Sequence, residues 1–372
     1  MSPRDRLIRA YHLEETDRVP VTFSYVNPFS SPGTRTTPDC IQFLKLVREK
    51  TDILLPVSPE GRGPFFSSTD QVSIESVERE EGPYSYHHRT LHTPGGDLQQ
   101  KSKSERGVNT IWIYEGYIKS EEDAEKVLSI PFDPLEIDAT PIRRAVDSLG
   151  NGGVVSTGIS DPICNCAGLF TLKDFALVAS RRGKILKKLL RFFQRRIEDY
   201  ARQVAEQCDD VFFRIVGPEY VTPPILSPNL FEEYVVPYDR KLTRIVKEND
   251  NVACIHCHGK IGRVMYGMKK IDPQVLEPVE PPPGGDITLG EIKEEIGDRT
   301  CLMGHLQHND LEFRPPGEIR RIVRSNINAA GSGGGYIVFP TARPYASISE
   351  KLLGNYREVV AAARKYGQHG NG

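Results

Sequence analysis

Short apolar runs alternate with amphipathic stretches of helical periodicity from about residue 153 to the end of the sequence. The apolar runs cover residues 153–159, 211–216, 252–257, 275–279, 300–303 and 336–339. The amphipathic stretches cover residues 173–208, 229–249, 261–270, 289–296, 317–330 and 349–366. Apolar runs without internal polar alternation are typical of parallel strands that are buried on both faces. Because closing such a sheet removes its exposed edges, the pattern predicts an α/β protein, a (β/α)8 TIM barrel.

The N-terminal half is less regular. Its first two βα units are predicted from helical patterns and apolar runs over residues 3–14, 19–24, 40–50 and 53–57. Residues 68–117 are rich in alternating β-formers, which predicts an antiparallel β excursion, an insertion or lid on the barrel. No Gly/Ser/Pro-rich linker flanks this excursion, so residues 1–372 are expected to form one domain rather than two.

The charge balance argues against nucleic-acid and membrane partners. The 48 Lys and Arg residues nearly cancel the 50 Asp and Glu residues, so no whole-molecule field attracts a polyanion. The N-terminus is charged and lacks the apolar segment of a signal peptide, and no apolar run approaches the roughly 18 residues that span a bilayer. Seven scattered cysteines, an odd number, are typical of reduced thiols. We therefore expect a soluble, cytoplasmic protein.

A basic run between residues 181 and 196 includes Lys188, Arg191, Arg195 and Arg196. Leucines interleave this run at helical spacing, which is typical of an outer barrel helix. We interpret the basic side chains as its solvated face rather than as a nucleic-acid surface.

His256 and His258 stand at the end of the predicted strand 252–257. Residues two apart share one face of a strand, so the two imidazoles point the same way and could hold Zn²⁺ with ligands from other strands. Hydrogen-bonded interior histidines, or a surface pair, are the alternative interpretation. Catalytic groups of such barrels gather at strand ends, which favours the metal.

Glu280 follows the next predicted strand and precedes three prolines that end it. Its carboxylate could complete a metal site or act as a general base, or it could be a solvated loop residue. Glu219 and Tyr220 follow another strand and are candidates for substrate contact, with a cap or loop role as the alternative. Arg343, after the last strand, could hold an anionic group or pair with a surface carboxylate. His305 is a weaker candidate for the pocket lining.

Five motifs occur along the chain in an order that is typical of a known protein superfamily. They are Asp17-Arg18-Val19-Pro20-Val21, His256-Cys257-His258-Gly259, Glu280-Pro281-Pro282-Pro283, Met303-Gly304-His305-Leu306-Gln307 and Pro340-Thr341-Ala342-Arg343-Pro344. In this order they resemble the uroporphyrinogen decarboxylase superfamily, over nearly the whole chain. The resemblance implies a (β/α)8 barrel. True decarboxylases of the superfamily carry arginines after their first strand, whereas residues 22–27 contain none, which disfavours tetrapyrrole decarboxylation.

The resemblance is closer to the cobalamin-dependent methyltransferase branch, which binds zinc through a His-x-Cys element, a later cysteine and sometimes a glutamate. His256 stands where that histidine would, His258 replaces the first cysteine, and Glu280 falls near the glutamate. No cysteine occurs near residues 341–344. A site with nitrogen and oxygen ligands keeps more positive charge on the metal, which makes it a stronger Lewis acid toward an ether or hydroxyl oxygen.

The resemblance therefore implies methyl transfer between a small O- or N-methylated substrate and a separate corrinoid (cobalamin) protein, as in O-demethylase systems. His256, His258 and Glu280 would hold zinc, Glu219 and Tyr220 would orient the substrate, and Arg343 would hold a carboxylate. Family members are often dimers, so a homodimer is a further expectation. Two alternatives stay open: a cofactor-free decarboxylase, and a non-catalytic binding barrel.

Overall fold

The computed structural model describes residues 1–23, 26–29, 37–108, 110–181, 183–344 and 348–368. Its strands are β1 (Ile53–Pro56), β2 (Ser73–Glu81), β3 (Tyr84–His92), β4 (Leu98–Glu105), β5 (Ile111–Glu115), β6 (Gly153–Ser160), β7 (Phe212–Val216), β8 (Val252–His256), β9 (Val275–Val279), β10 (Cys301–Leu306) and β11 (Tyr336–Pro340).

Its helices are α1 (Pro3–Tyr11), α2 (Pro38–Lys50), α3 (Glu121–Leu128), α4 (Thr140–Leu149), α5 (Pro162–Ala167), α6 (Leu172–Arg181), α7 (Gly183–Ala205), α8 (Pro228–Tyr234), α9 (Val236–Lys247), α10 (Met265–Ile271), α11 (Leu289–Ile296), α12 (His308–Phe313), α13 (Pro316–Ala330) and α14 (Glu350–Tyr366). The long amphipathic stretch over residues 173–208 forms two helices, α6 and α7. Residue 182, between them, lies outside the described residues.

A curled parallel sheet forms the centre of the molecule, in the order β1-β6-β7-β8-β9-β10-β11. The segment before α2 joins its two ends: Val21 forms a parallel bridge with Val338 of β11, and the Asp52 amide beside β1 donates to the Val21 carbonyl at 2.8 Å. The predicted TIM-barrel fold is confirmed. The strand predicted over residues 19–24 is only this isolated bridge, and Ser24 lies outside the described residues.

Alternate residues of the strands build two separate cores. Phe212, Cys254 and Met303 point into the barrel, together with Leu7 and Tyr11 of α1. Their neighbours along each strand pack outward against the helices. Successive residues of a strand point to opposite faces of the sheet, so these two cores make both faces apolar. A charged side chain inside the barrel therefore needs a partner.

The small sheet is antiparallel, in the order β2-β3-β4-β5, and confirms the β excursion predicted within residues 68–117. Leu91 and Leu98 on its inner face are buried, and the side-chain amide of Gln100 donates to the carbonyl of Gly168, just after α5, at 2.8 Å. The sheet thus packs beside the loop that follows β6. That it acts as a lid stays a prediction. None of the helices in the described ranges has the length and apolarity needed to cross a membrane.

Candidate active site

His256 is the last residue of β8 and is aligned with Glu277 in the middle of β9. Both side chains point into the barrel and are buried. Nδ1 of His256 lies 3.0 Å from Oε1 of Glu277. The strand register therefore gives this imidazole a fixed carboxylate partner and leaves Nε2 as the ring nitrogen that faces away from Glu277.

Arg214 of β7 binds the same carboxylate from the other side, and its Nη2 donates to Oε2 of Glu277 at 2.9 Å. Glu277 is fully buried and Arg214 is 6 % exposed. Burial alone would raise the pKa of Glu277, but the Arg214 charge and the His256 contact outweigh it and lower that pKa below its ordinary value. A buried carboxylate thus stays ionised between a guanidinium and an imidazole.

His258 and Glu280 form a second pair, one step outward along the same two chain segments. Nδ1 of His258 lies 3.2 Å from Oε1 of Glu280, and the Gly259 amide donates to Oε2 of Glu280 at 2.9 Å. Burial disfavours the charged form of both side chains. The contact between them outweighs burial, so that the pKa of His258 is raised and the pKa of Glu280 is lowered. The His256 and His258 rings meet edge to face, with their centroids 4.8 Å apart.

The structure brings the three predicted metal ligands together, as two imidazoles on one strand end and a carboxylate on the next. These donors fit zinc in chemical type, and a histidine oriented by a carboxylate through Nδ1 is typical of zinc ligands. Within the described ranges, however, no three His, Cys, Asp or Glu side chains are already arranged to hold an ion. Instead, His258 and Glu280 bind each other.

Glu219 and Tyr220 form a short 3-10 turn directly after β7. The Gly217 amide donates to Oε2 of Glu219 at 3.2 Å, so this carboxylate also closes the turn, as the alternative cap role predicts. Tyr220 packs edge to face on Phe175 of α6, and burial, followed by the nearby Cys164, raises its pKa to about 12. Tyr220 is therefore a hydrogen-bond donor at neutral pH.

Arg343 and His305 lie at the ends of the last two strands. Arg343 follows β11 and is exposed, as both of its sequence interpretations require. His305, near the end of β10, has a left-handed backbone with φ of 66°. Burial lowers its pKa to about 4, so its ring is neutral near pH 7.

A buried pair of acids that the sequence interpretation missed lies beside Glu219. Asp161 follows β6 and caps α5, with its Oδ1 accepting from the Cys164 amide at 2.6 Å, whereas Asp239 lies in α9. Both are fully buried. Burial and the neighbouring negative charge raise the pKa of Asp161, and burial also raises that of Asp239. The two carboxyl groups can hydrogen-bond only by sharing a proton.

Arg214 and Glu277 were also missed, although a signal was present. Each is a charged residue within an otherwise apolar predicted strand, and a charge in a doubly buried strand requires a partner. The signal for Asp161 is its position after a strand and before Pro162, which is typical of a helix N-cap. Asp239 offers no such signal, because its burial depends on how α9 packs.

The fold and these strand-end groups define a class. A parallel barrel with ionisable side chains gathered at the carboxyl ends of its strands is the architecture of barrel enzymes. The chain belongs to the uroporphyrinogen decarboxylase (URO-D) family, whose model matches residues 114–361, more than half of the sequence. This confirms the superfamily that the motifs predicted.

Comparison with solved structures supports the same fold. A methyltransferase from Methanosarcina mazei is similar to this chain with a TM-score of 0.60 and 16 % identity, over 98 % of this chain and 99 % of that one. A B12-independent methionine synthase from a Shewanella species is similar with a TM-score of 0.41 and 11 % identity, over 80 % and 75 % of the two chains. The latter likeness is too weak to carry an argument. A comparison with curated protein sequences finds no match.

Proposed function

We propose that this chain is a methyltransferase that moves a methyl group between a small O- or N-methylated compound and a corrinoid protein. One observation carries the proposal: His256 and His258 lie at the end of one strand, with the Glu280 carboxylate beside them. Glu277, which Arg214 binds, in turn contacts the His256 ring and orients it. The family assignment and the whole-length likeness to a methyltransferase fold support it.

His256, His258 and Glu280 would hold zinc in this proposal. The metal would supply a Lewis acid that polarises the heteroatom of the leaving group, while the corrinoid on the partner accepts the methyl group. Glu277 keeps the His256 ring in one orientation, since its carboxylate is itself fixed by Arg214. Glu280 would have to exchange its contact with His258 for the metal, so binding should release a proton from His258.

The residues after β7 and β11 would select the substrate. The Tyr220 hydroxyl, which stays protonated, can donate to an oxygen or nitrogen of the substrate. Glu219 can accept from a substrate hydroxyl or amine, and Arg343 can bind a substrate carboxylate. Each group would orient the methyl carbon toward the open end of the barrel, where the corrinoid protein would dock.

The test combines metal content with turnover. Protein purified without chelators should contain about one zinc per chain by mass spectrometry, and it should methylate a reduced corrinoid, seen by absorbance, from at least one of a panel of methoxylated and N-methylated compounds. His256→Ala should lose zinc and turnover together. His88→Ala, on the exposed face of the small sheet, should retain both.

Three outcomes would reject the proposal. A metal-free His256→Ala variant with full methyl transfer would exclude the zinc site. Release of CO2 from an aromatic acid without metal would favour the decarboxylase alternative. Failure of every panel compound to react or to raise the unfolding temperature would favour the non-catalytic barrel.

A further inference from the structure

A groove between α3 and α7, on the outside of the barrel, has an excess of positive charge. We call it the basic groove. Its cations are Lys188, Arg191, Arg195 and Arg196, and its volume is about 440 Å³. Small-molecule sites commonly measure about 300–1,000 Å³, so a compact organic ligand fits this space.

Arg196 lies at the base of the groove and is only 4 % exposed. Its Nη1 donates to the Phe192 carbonyl at 3.0 Å and its Nη2 donates to the Ile130 carbonyl at 2.7 Å. Its Nε is buried and has no hydrogen-bond partner among the described residues. The interpretation of the basic run as a solvated face is therefore wrong for Arg196, because helix packing against the segment after α3 covers it.

Direct ion pairs compensate little of this charge within the part of the chain that the structure describes. Glu125 is the one acidic side chain that lines the groove, and Nζ of Lys188 already binds it at 2.6 Å. Across the described ranges, no ion pair within 4.0 Å reaches Arg191, Arg195 or Arg196. Among the described residues, these three guanidinium groups therefore have no carboxylate in direct contact.

The guanidinium groups of Arg195 and Arg196 contact the same aromatic ring. They lie 4.8 Å and 5.1 Å, respectively, from the centroid of the Phe132 ring. Burial, and then the charge of Arg195, lower the pKa of Arg196 to about 10, which Asp133 only partly opposes. A buried cation that a second cation repels would gain from an anion bound between them.

We propose that the basic groove binds the phosphate group of a small organic phosphate. A phosphate dianion accepts paired N–H donors from guanidinium groups, and Arg191 and Arg195 would supply them above the buried charge of Arg196. Leu128 and Phe192 line the same groove and give an apolar surface for the carbon skeleton of the ester. The buried arginine and the apolar side chains beside it favour a compact ligand over an extended acidic polymer.

Phenyl phosphate and inorganic phosphate are suitable probes, measured by calorimetry and by thermal unfolding of the full chain. Sodium chloride at equal ionic strength corrects for screening. Arg195→Gln removes one exposed donor and should fold normally, as should Arg202→Gln, the matched control on an exposed part of the same helix outside the groove. Phenol measures the contribution of the ring alone.

We expect phenyl phosphate to bind the wild-type chain and Arg202→Gln equally, and Arg195→Gln at least tenfold more weakly. Phenol should not bind. The proposal is overturned if neither phosphate binds more tightly than chloride screening explains, or if Arg195→Gln retains the wild-type affinity. Stabilisation by polyglutamate but not by either phosphate would also overturn it, since the groove would then serve an acidic protein.

Discussion

Oε1 of Glu277 lies 3.0 Å from Nδ1 of His256 across the β8–β9 register. His256 is a candidate metal ligand, and its partner Glu277 is also bound by Arg214. The orientation of the imidazole therefore depends on side chains from three strands, β7, β8 and β9. This explains why β7 and β9 carry charged residues among apolar ones.

Removal of Glu277 tests that dependence. Glu277→Leu removes the carboxylate that Arg214 binds inside the barrel, so we expect the free energy of unfolding to fall by about 3–5 kcal/mol. Zinc affinity should fall about 10- to 100-fold, because His256 loses its orienting partner. Denaturant unfolding and metal titration measure the two effects. The double variant Arg214→Met/Glu277→Leu should recover much of the stability but not the metal affinity, and equal stability of the two variants would contradict the ion-pair account.

The contact between His258 and Glu280 makes a separate prediction about pH for the metal-free protein. Burial lowers the pKa of His258, and Glu280 is the main group that raises it, with smaller contributions from Glu219 and Glu277. Glu280→Gln should therefore lower that pKa. Because the pKa of His258 is raised in the folded state, its stabilising contribution is complete below about pH 6.5 and is lost as the pH rises through the folded pKa. Because the pKa of Glu280 is lowered in the folded state, its stabilising contribution is complete above about pH 4.5. We therefore expect the wild-type advantage to be largest between these values. Histidine NMR titration checks the pKa, and an unchanged pKa in Glu280→Gln would contradict the pairing.

Local sequence patterns predicted the fold, but they predicted only part of the candidate active site. A period of two along one strand was enough to place His256 and His258 on one face, and the end of the next strand was enough to place Glu280 near them. The contact of Arg214 with Glu277 depends on the register between neighbouring strands, which no local pattern specifies. Asp161 and Asp239 lie close together only because α9 packs against α7 and the neighbouring strands β7 and β8, and 78 residues separate the two acids in sequence.

Asp239→Asn should stabilise the protein at neutral and alkaline pH. The raised pKa values of Asp161 and Asp239 mean that the folded state keeps a proton that the unfolded state releases, so stability is full below about pH 4 and falls as the pH rises through the folded values. An asparagine amide donates to Asp161 without a titrating proton. We expect a higher unfolding temperature than wild type at pH 8 and little difference at pH 4. Asp147→Asn, which is exposed, should show neither effect, and a destabilised Asp239→Asn at pH 8 would contradict the shared proton.

The main chain at Gly217 leaves no room for a side chain beside Asp161. A Cβ at residue 217 would lie 1.9 Å from Oδ1 of Asp161, and φ there is +144°, a conformation that L residues avoid. Because Asp161 cannot move without losing its cap on α5, we expect Gly217→Ala to lower the free energy of unfolding by about 3 kcal/mol. Gly354→Ala, in α14 with open space around it, should instead raise it by about 0.5–1 kcal/mol through helix propensity. Denaturant unfolding compares the two, and a neutral Gly217→Ala would mean that the turn before Glu219 relaxes away from Asp161.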